Sequence, residues 1–168
     1  IKDLPSFLET LGVRPGRFQT VDQVHGNKVL LVDASSRSQI EAADGLLTKE
    51  KELALVIRTA DCVPVFFLDP EVPAVGIGHG GWRGIREGIV FRILDRFRTQ
   101  FFSNFGSMRV AMGPAICGSC YEVGEEFQDY FPGLVKEKEG RYFFSLRGAV
   151  RNQLLEYGIP ESSIFISD

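Results

Sequence analysis

Apolar residues recur along the chain at spacings that predict several amphipathic helices. Leu4, Leu8 and Leu11 share one face of a short N-terminal helix that should end at Gly12. The clearest pattern extends over residues 85–101, where isoleucine and phenylalanine recur every four residues and arginines fill the other faces. This stretch predicts the main helix of the protein. Further helices are predicted at residues 125–131 and 146–157, the second closed by Gly158 and Pro160.

Short runs of β-branched and aromatic residues predict the strands. They occupy residues 29–32, 53–57, 63–68, 74–77 and 108–112. Residues 34–43 are polar and rich in serine, which predicts a surface loop. Several links between strands are too short for the helical crossover of a parallel βαβ unit. The order of elements therefore predicts an α+β fold rather than a doubly wound sheet, in one domain that spans residues 1–168.

The composition excludes several classes of function. The length of 168 residues fits one domain, and a hydrophobic content of 44% is that of an ordinary globular protein. A net charge of −3 provides no basic field for nucleic acid. The apolar runs are much shorter than the ~20 residues that span a bilayer. The three cysteines, Cys62, Cys117 and Cys120, are few and odd in number, which indicates a reduced, cytoplasmic protein.

Both histidines and one cysteine lie where predicted strands begin or end. His25 precedes a strand, Cys62 lies between two strands, and His79 lies between a strand and the main helix. Two imidazoles and a thiolate with an open fourth position are typical of catalytic zinc. On spacing alone, three unrelated core or surface residues are the commoner explanation. Nearby glycines favour a site, because they make turns or let a ligand approach the backbone. These glycines are Gly26, Gly78, Gly80, Gly81 and Gly84.

Other residues near these segments allow more than one interpretation. Arg83 and Arg86 open the predicted main helix, where they would either capture an anion such as phosphate or simply face solvent. Asp61 precedes the candidate cysteine ligand and would act as a partner of the metal ligands, as a general base or as a turn cap. Cys117 and Cys120 have CxxC spacing without a second pair, and we interpret them as incidental cysteines of a loop.

Five short motifs occur in order along the chain. They are QVHG at 23–26, ADGLLT at 43–48, TADCVPV at 59–65, GHGGWRG at 78–84 and GPAICGSCYEVG at 113–124. Together they strongly resemble the bacterial YfiH family, also called the laccase-domain or purine nucleoside phosphorylase family. The resemblance implies a layered α+β fold with mixed sheets flanked by helices, and a metal bound by His25, Cys62 and His79. Gly80 stands where the family usually has alanine, a small change that we expect to leave the ligand undisturbed.

The resemblance implies a zinc-dependent purine nucleoside phosphorylase that acts on adenosine, inosine or methylthioadenosine, with adenosine deamination as a side activity. Its partners would be a purine nucleoside and phosphate, without nucleic acid or membrane. The family's other label, multicopper polyphenol oxidase or laccase, conflicts with the presence of two histidines, since a multicopper cluster needs many more. A single copper ion on the same three ligands is compatible with the donor set.

We expect catalysis to depend on the three ligands and on Asp61, a candidate acid for the leaving purine. Gln23, Arg58 and Arg83 adjoin the ligands in the sequence and are expected to bind substrate. The N-terminal glycine-rich segment and the C-terminal serine–tyrosine–arginine segment of the family are expected to lie outside this chain. Two other functions stay open. One is a metal-free hydrolase with Cys62 as nucleophile and a histidine as its base, and the other is a non-catalytic module with structural zinc.

Overall fold

A mixed β-sheet forms the centre of the computed structural model, which describes residues 4–14, 17–36 and 41–167. The strands of the described residues are β1 (Phe18–Thr20), β2 (Val29–Leu31), β3 (Gly45–Thr48), β4 (Ala54–Val56), β5 (Val63–Asp69), β6 (Ala74–Gly80), β7 (Arg109–Met112), β8 (Glu122–Val123), β9 (Val135–Lys138), β10 (Arg141–Phe144) and β11 (Ile164–Ile166). Six of them form the central sheet, in the order β11-β7-β5-β6-β3-β2. Strands β7, β5, β6 and β3 alternate in direction, whereas β2 and β11 run parallel to their neighbours at the edges.

Helices cover one face of the central sheet. The described helices are α1 (Leu4–Thr10), α2 (Trp82–Arg86), α3 (Ile89–Arg96), α4 (Phe127–Tyr130) and α5 (Leu146–Glu156), with a 3₁₀ turn at Glu161–Ser163. The main core lies between this face and the helices, where Ile93, Leu94 and Phe97 are at most 1% exposed. None of the described helices is long and apolar enough to cross a membrane. The mixture of helices and mixed sheets confirms the predicted α+β class.

Two smaller sheets complete the described fold. Strands β1 and β4 pair in parallel and cover part of the other face of the central sheet, above a second core that includes Val21, Leu46 and Ile77. Strands β8, β10 and β9 form an antiparallel sheet beside α4 and α5. The sequence analysis did not predict the hairpin of β9 and β10. Its turn places Glu139 and Gly140 at positive φ, of 54° and 74°.

The predicted main helix is interrupted, which corrects the sequence analysis. Gly88 adopts a left-handed conformation, with φ of 81°, and separates α2 from α3. The chain then continues from α3 into a π-helical turn at Phe97–Phe101. The apolar repeat of residues 85–101 persists across the break because both helices pack on the same sheet. Hydrophobic spacing therefore located the buried face correctly, but it concealed the point where the backbone changes direction.

Strand β6 is longer than predicted and includes two of the glycines that the sequence analysis associated with a ligand, Gly78 and Gly80. It continues from Ala74 through His79 to Gly80, so this histidine is inside a strand and not in a junction. A Cβ atom at Gly78 would lie 2.5 Å from Cδ1 of Ile93. This glycine therefore allows α3 to pack closely on β6. Its role in the fold is helix packing.

Most of the remaining predicted elements are confirmed, all with shorter ends except the strand at residues 63–68, which extends to Asp69. They are the first helix, the strands at residues 29–32, 53–57, 63–68 and 108–112, and the helix at residues 146–157, which correspond to α1, β2, β4, β5, β7 and α5. The helix predicted at residues 125–131 is reduced to α4. Residues 37–40 of the predicted surface loop lie outside the described residues. Cys117 and Cys120 form a disulfide, so the expectation of incidental, reduced cysteines is wrong for this pair.

Candidate functional site

The three predicted metal ligands converge at one end of the central sheet. The donor atoms of His25, Cys62 and His79 all lie within 4.8 Å of one another. Pro64 pairs with His79 in the register of β5 and β6, which brings Cys62, immediately before β5, beside this histidine. The two imidazole rings meet edge to face, with centroids 4.7 Å apart. A thiol and two imidazoles at this separation form a donor set that could hold a metal ion.

Asp44 organises both histidines, although the sequence analysis did not assign it a role. Its carboxylate is fully buried and lies 2.8 Å from Nδ1 of His79. It also accepts hydrogen bonds from the backbone N–H groups of Val24, His25 and Gly26, at 3.2, 2.9 and 2.8 Å. These three bonds hold His25 at a φ of 61°, in the left-handed region that non-glycine residues seldom adopt. With Nδ1 of His79 engaged, Nε2 is the atom left for an ion.

The buried pair of Asp44 and His79 is electrostatically stabilised. Burial alone would raise the pKa of Asp44, but the hydrogen bonds from His79 and from the backbone of residues 24–26 lower it. Burial would also lower the pKa of His79, but the hydrogen bond to Asp44 and the proximity of Cys62 raise it to about 9. The site therefore favours a positive charge at this imidazole. A metal ion at Nε2 would replace the proton and retain the carboxylate as its counter-charge.

Two glycines let the start of α2 pack against the loop that carries His25. A Cβ atom at Gly81 would lie 2.8 Å from Cδ2 of His25 and 3.3 Å from Sγ of Cys62. A Cβ atom at Gly84 would lie 2.5 Å from the carbonyl oxygen of Gly26. The glycines of this motif are thus required for close packing around the candidate ligands.

The candidate ligands open onto a cleft of about 420 Å³. Its lining residues are Asp22, Gln23, His25, Arg58, Thr59, Ala60, Asp61, Cys62 and His79. The side chain of Gln23 is engaged with the backbone of Arg58: its Nε2 donates to the carbonyl oxygen, and its Oε1 accepts from the N–H group, both at 2.7 Å. This pair of hydrogen bonds joins the two loops that form the cleft. Arg58 and Asp61 are exposed on its wall.

Arg83 and Arg86 flank a pair of stacked aromatic rings. The rings of Trp82 and Tyr130 are nearly parallel, with an angle of 4° and centroids 5.9 Å apart. The guanidinium of Arg83 lies 4.5 Å from the Trp82 ring, and that of Arg86 lies 3.7 Å from the Tyr130 ring. A guanidinium that stacks by its face keeps its edge N–H groups for an anion. The two arginines do not share one binding position, because each covers a different ring.

Tyr121 is a second residue that the sequence analysis left without a role. Burial and the nearby Cys62 raise the pKa of its phenol, Arg83 lowers it, and Asp61 raises it. The phenol therefore lies within electrostatic range of one candidate ligand and of both charged residues. Tyr121 and Asp44 each belong to one of the five motifs, but no spacing rule shows which motif residues the fold brings near the ligands.

Comparisons with known proteins agree with this architecture. A family model described as "Multi-copper polyphenol oxidoreductase laccase" matches residues 2–168. A relative from Geobacillus stearothermophilus, named purine nucleoside phosphorylase YlmD, is 34% identical over 169 residues, which cover 90% of this chain and 62% of the relative. A purine nucleoside phosphorylase from Deinococcus radiodurans is 37% identical over 160 residues, covering 90% of this chain and 60% of the relative.

Solved structures show the same fold. The hypothetical protein YfiH from Bacillus licheniformis has a TM-score of 0.90 and 31% identity, over 98% of this chain and 68% of that one. The structure of YlmD from Geobacillus stearothermophilus also has a TM-score of 0.90 and 31% identity, over 97% and 67%. The chain spans about three fifths of the length of the curated relatives named above. The chain therefore belongs to the laccase-like family that this model describes, and it shares the fold of YfiH and YlmD.

Proposed function

We propose that this protein is a zinc-dependent purine nucleoside phosphorylase. In this reaction a phosphate oxygen bonds to C1′ of the ribose, the bond from C1′ to the purine nitrogen breaks, and the purine leaves with a proton. The single observation that supports the proposal best is the convergence of His25, Cys62 and His79 on an open cleft. The names of the relatives supply the substrate class. Adenosine, inosine and methylthioadenosine are the proposed nucleosides.

The donor set fits zinc. His25 and His79 would each contribute an imidazole nitrogen and Cys62 a thiolate, and the cleft leaves room for a further ligand. When bound, zinc would supply a positive charge that polarises a phosphate, sugar or water oxygen. A single copper ion would fit the same donors. A multicopper cluster would not, because the sequence contains two histidines in all.

Residues that line the cleft, together with Arg83 near it, would have separable roles in the proposed reaction. Arg58 and Arg83 would neutralise phosphate, since both are exposed cations near the candidate ligands. Asp61, exposed at the cleft, would pass a proton to the departing purine. Gln23 would act indirectly, because its amide holds the backbone of Arg58. Deamination of adenosine by water, which releases ammonia and inosine, is the proposed side activity of the same cleft.

A product assay tests the proposal. Purified protein loaded with zinc is incubated with adenosine, with and without phosphate, and the bases and sugars are separated by chromatography. We expect adenine and ribose 1-phosphate only when phosphate is present, and neither product with the Cys62→Ala variant. Full activity of Cys62→Ala would overturn the role of the metal. Inosine formed without phosphate would instead identify deamination as the principal reaction.

A thiol hydrolase is the second candidate function, and one contact favours it. The bond between Asp44 and Nδ1 of His79 directs Nε2 of this histidine toward Cys62, as in a nucleophile–base–orienting-acid triad. In that reaction the sulfur would attack an acyl carbon, the leaving group would depart with a proton, and water would release the acid. Iodoacetamide distinguishes the two functions. The hydrolase predicts rapid alkylation of Cys62 in protein as purified, whereas a metal site predicts alkylation only after chelation.

The third possibility, a non-catalytic module with structural zinc, predicts a different response to removal of the metal. Structural zinc contributes directly to folding, so its removal should unfold the protein. In this chain the buried network around Asp44 holds the site through protein contacts alone. We therefore expect chelation to leave the circular dichroism spectrum essentially unchanged.

A further inference from the structure

The disulfide of Cys117 and Cys120 closes an exposed turn beside the cleft. Cys120 is exposed and Cys117 is half-buried. The turn is short: the N–H groups of Cys120 and Tyr121 both donate to the carbonyl oxygen of Cys117, at 3.0 and 3.1 Å. Exposed disulfides are the ones that thiols reach and reduce most readily. Neither cysteine has a role in the proposed phosphorylase reaction.

The segment that contains this disulfide, residues 113–121, is hydrogen-bonded to the backbone on both sides of Cys62. Gly113 N–H donates to the carbonyl oxygen of Pro64 at 2.9 Å, and Ile116 N–H donates to that of Asp61 at 3.0 Å. The latter carbonyl belongs to the residue just before the candidate ligand. The conformation of this segment is therefore coupled to the wall of the cleft.

The other side of the turn leads directly to Tyr121 and to the small antiparallel sheet. Tyr121 follows Cys120, and its carbonyl oxygen accepts from the N–H group of Phe144 at 3.0 Å. A Cβ atom at Gly118 would lie 2.8 Å from Cβ of Ser145, so the turn packs tightly on the start of α5. The disulfide thus cross-links the part of the segment that lies between two backbone hydrogen bonds, that of Ile116 with Asp61 and that of Tyr121 with Phe144.

We propose that Cys117 and Cys120 form a reversible thiol–disulfide site, reduced by dithiols, whose redox state controls how firmly residues 113–121 hold the cleft wall at Asp61, next to Cys62. A thiolate of the dithiol attacks the exposed sulfur of Cys120, the S–S bond breaks, and Cys117 leaves as a thiolate that takes up a proton. The second thiol of the dithiol then attacks the mixed disulfide and releases Cys120. The protein gains two electrons and two protons, and the dithiol becomes a cyclic disulfide.

Reduction has a physical consequence at the cleft. Without the cross-link, residues 117–120 regain backbone freedom, and the turn no longer constrains the residue that follows it. The bond from Ile116 N–H to the carbonyl oxygen of Asp61 then holds the residue before Cys62 less firmly. The reactivity of this thiol is therefore a direct reporter of the redox state, and it requires neither bound metal nor nucleoside turnover.

The test uses the folded, metal-free protein. Protein treated with dithiothreitol and untreated protein are each separated from small molecules without oxygen and exposed to iodoacetamide, and modified peptides are mapped by mass spectrometry over time. We expect new labelling at Cys117 and Cys120 after the dithiol, with labelling of Cys62 accelerated several-fold. Cys117→Ser/Cys120→Ser should label Cys62 at the faster rate with or without the dithiol. Ser119→Ala, which retains both cysteines, should respond like the unmodified chain.

Two results would overturn the proposal. One is the absence of labelling at both positions after dithiol treatment of folded protein. The other is complete reduction with an unchanged rate at Cys62, which would leave a disulfide without influence on the cleft. Circular dichroism of the double variant verifies that it is folded before the rates are compared. Neither result depends on whether the protein is a phosphorylase, because no nucleoside is present.

Discussion

Asp44 lies 2.8 Å from Nδ1 of His79, and both side chains are buried, at 0% and 3% exposure. The same carboxylate accepts three backbone N–H groups of the loop that carries His25. One residue therefore fixes the orientation of one candidate ligand and the backbone conformation of another. Metal sites in proteins commonly depend on such a carboxylate behind a histidine ligand, both for geometry and for charge.

Substitution of Asp44 should weaken metal binding even though the residue would not touch the ion. The Asp44→Asn variant retains the size of the side chain but removes its charge, and its amide nitrogen cannot accept from the backbone. We expect zinc affinity to fall by about 10–100-fold. We also expect a loss of stability of about 1–3 kcal/mol, because buried N–H groups lose their acceptor. Competition with a chromogenic chelator measures the first effect, and urea denaturation measures the second.

Asp61→Asn provides the matched control. This carboxylate is exposed and precedes Cys62, so its loss changes charge near the cleft without disturbing the histidines. Zinc affinity should be retained while phosphorolysis slows. Equal zinc affinity for Asp44→Asn and the unmodified protein would contradict the role assigned to Asp44.

Gly81 should be needed for the geometry of the site more than for the stability of the fold. In Gly81→Ala the new methyl group would lie 2.8 Å from Cδ2 of His25 and 3.3 Å from Sγ of Cys62. The ring of His25 is exposed and can turn away, so we expect a folded protein that binds zinc much more weakly. Gly106→Ala, in an exposed turn remote from the ligands, should bind zinc like the unmodified chain. Unchanged affinity of Gly81→Ala would show that the ring accommodates the methyl group in place.

The sequence was sufficient to find the three candidate ligands but not the residues that organise them. His25, Cys62 and His79 stand in motifs whose order is recognisable without coordinates. Asp44 and Tyr121 stand in similar motifs, but their roles depend on which side chains the fold buries together. The sheet register that sets a histidine beside a cysteine seventeen residues earlier is a tertiary property.

The errors in the predicted elements have the same physical origin. The apolar repeat continued across Gly88 because α2 and α3 pack on one sheet, while the positive φ of this residue separates them. The hairpin of β9 and β10 was missed because Lys136, Glu137 and Lys138 form an exposed strand without an apolar run. Local patterns report the buried face of an element well, but they do not report its neighbours.

Gly80→Ala introduces the residue that the family usually has, and the structure predicts that this chain tolerates it poorly. The new Cβ would lie 2.6 Å from Cγ1 and 2.8 Å from the carbonyl oxygen of Val63. The new methyl group would press on Val63, which directly follows the candidate ligand Cys62. We expect a loss of stability of about 1–3 kcal/mol, measured as a lower urea midpoint. The double variant Gly80→Ala/Val63→Ala should regain part of this loss, because it removes the clash with the side chain and leaves the clash with the backbone.

The two arginines of α2 should differ in their contribution to phosphate binding. Arg83 influences the same phenol as Cys62 and Asp61, which places its charge near the cleft, whereas Arg86 lies over the ring of Tyr130. Arg83→Gln should raise the KM for phosphate about tenfold or more, since charge-assisted contacts to phosphate contribute roughly 1.5–3 kcal/mol. Arg86→Gln should leave this KM unchanged, and neither variant should alter zinc affinity. Initial rates over a range of phosphate concentrations, at saturating nucleoside, measure the difference. Equal effects of the two substitutions would mean that phosphate responds to the overall charge of α2 and not to a contact made by Arg83.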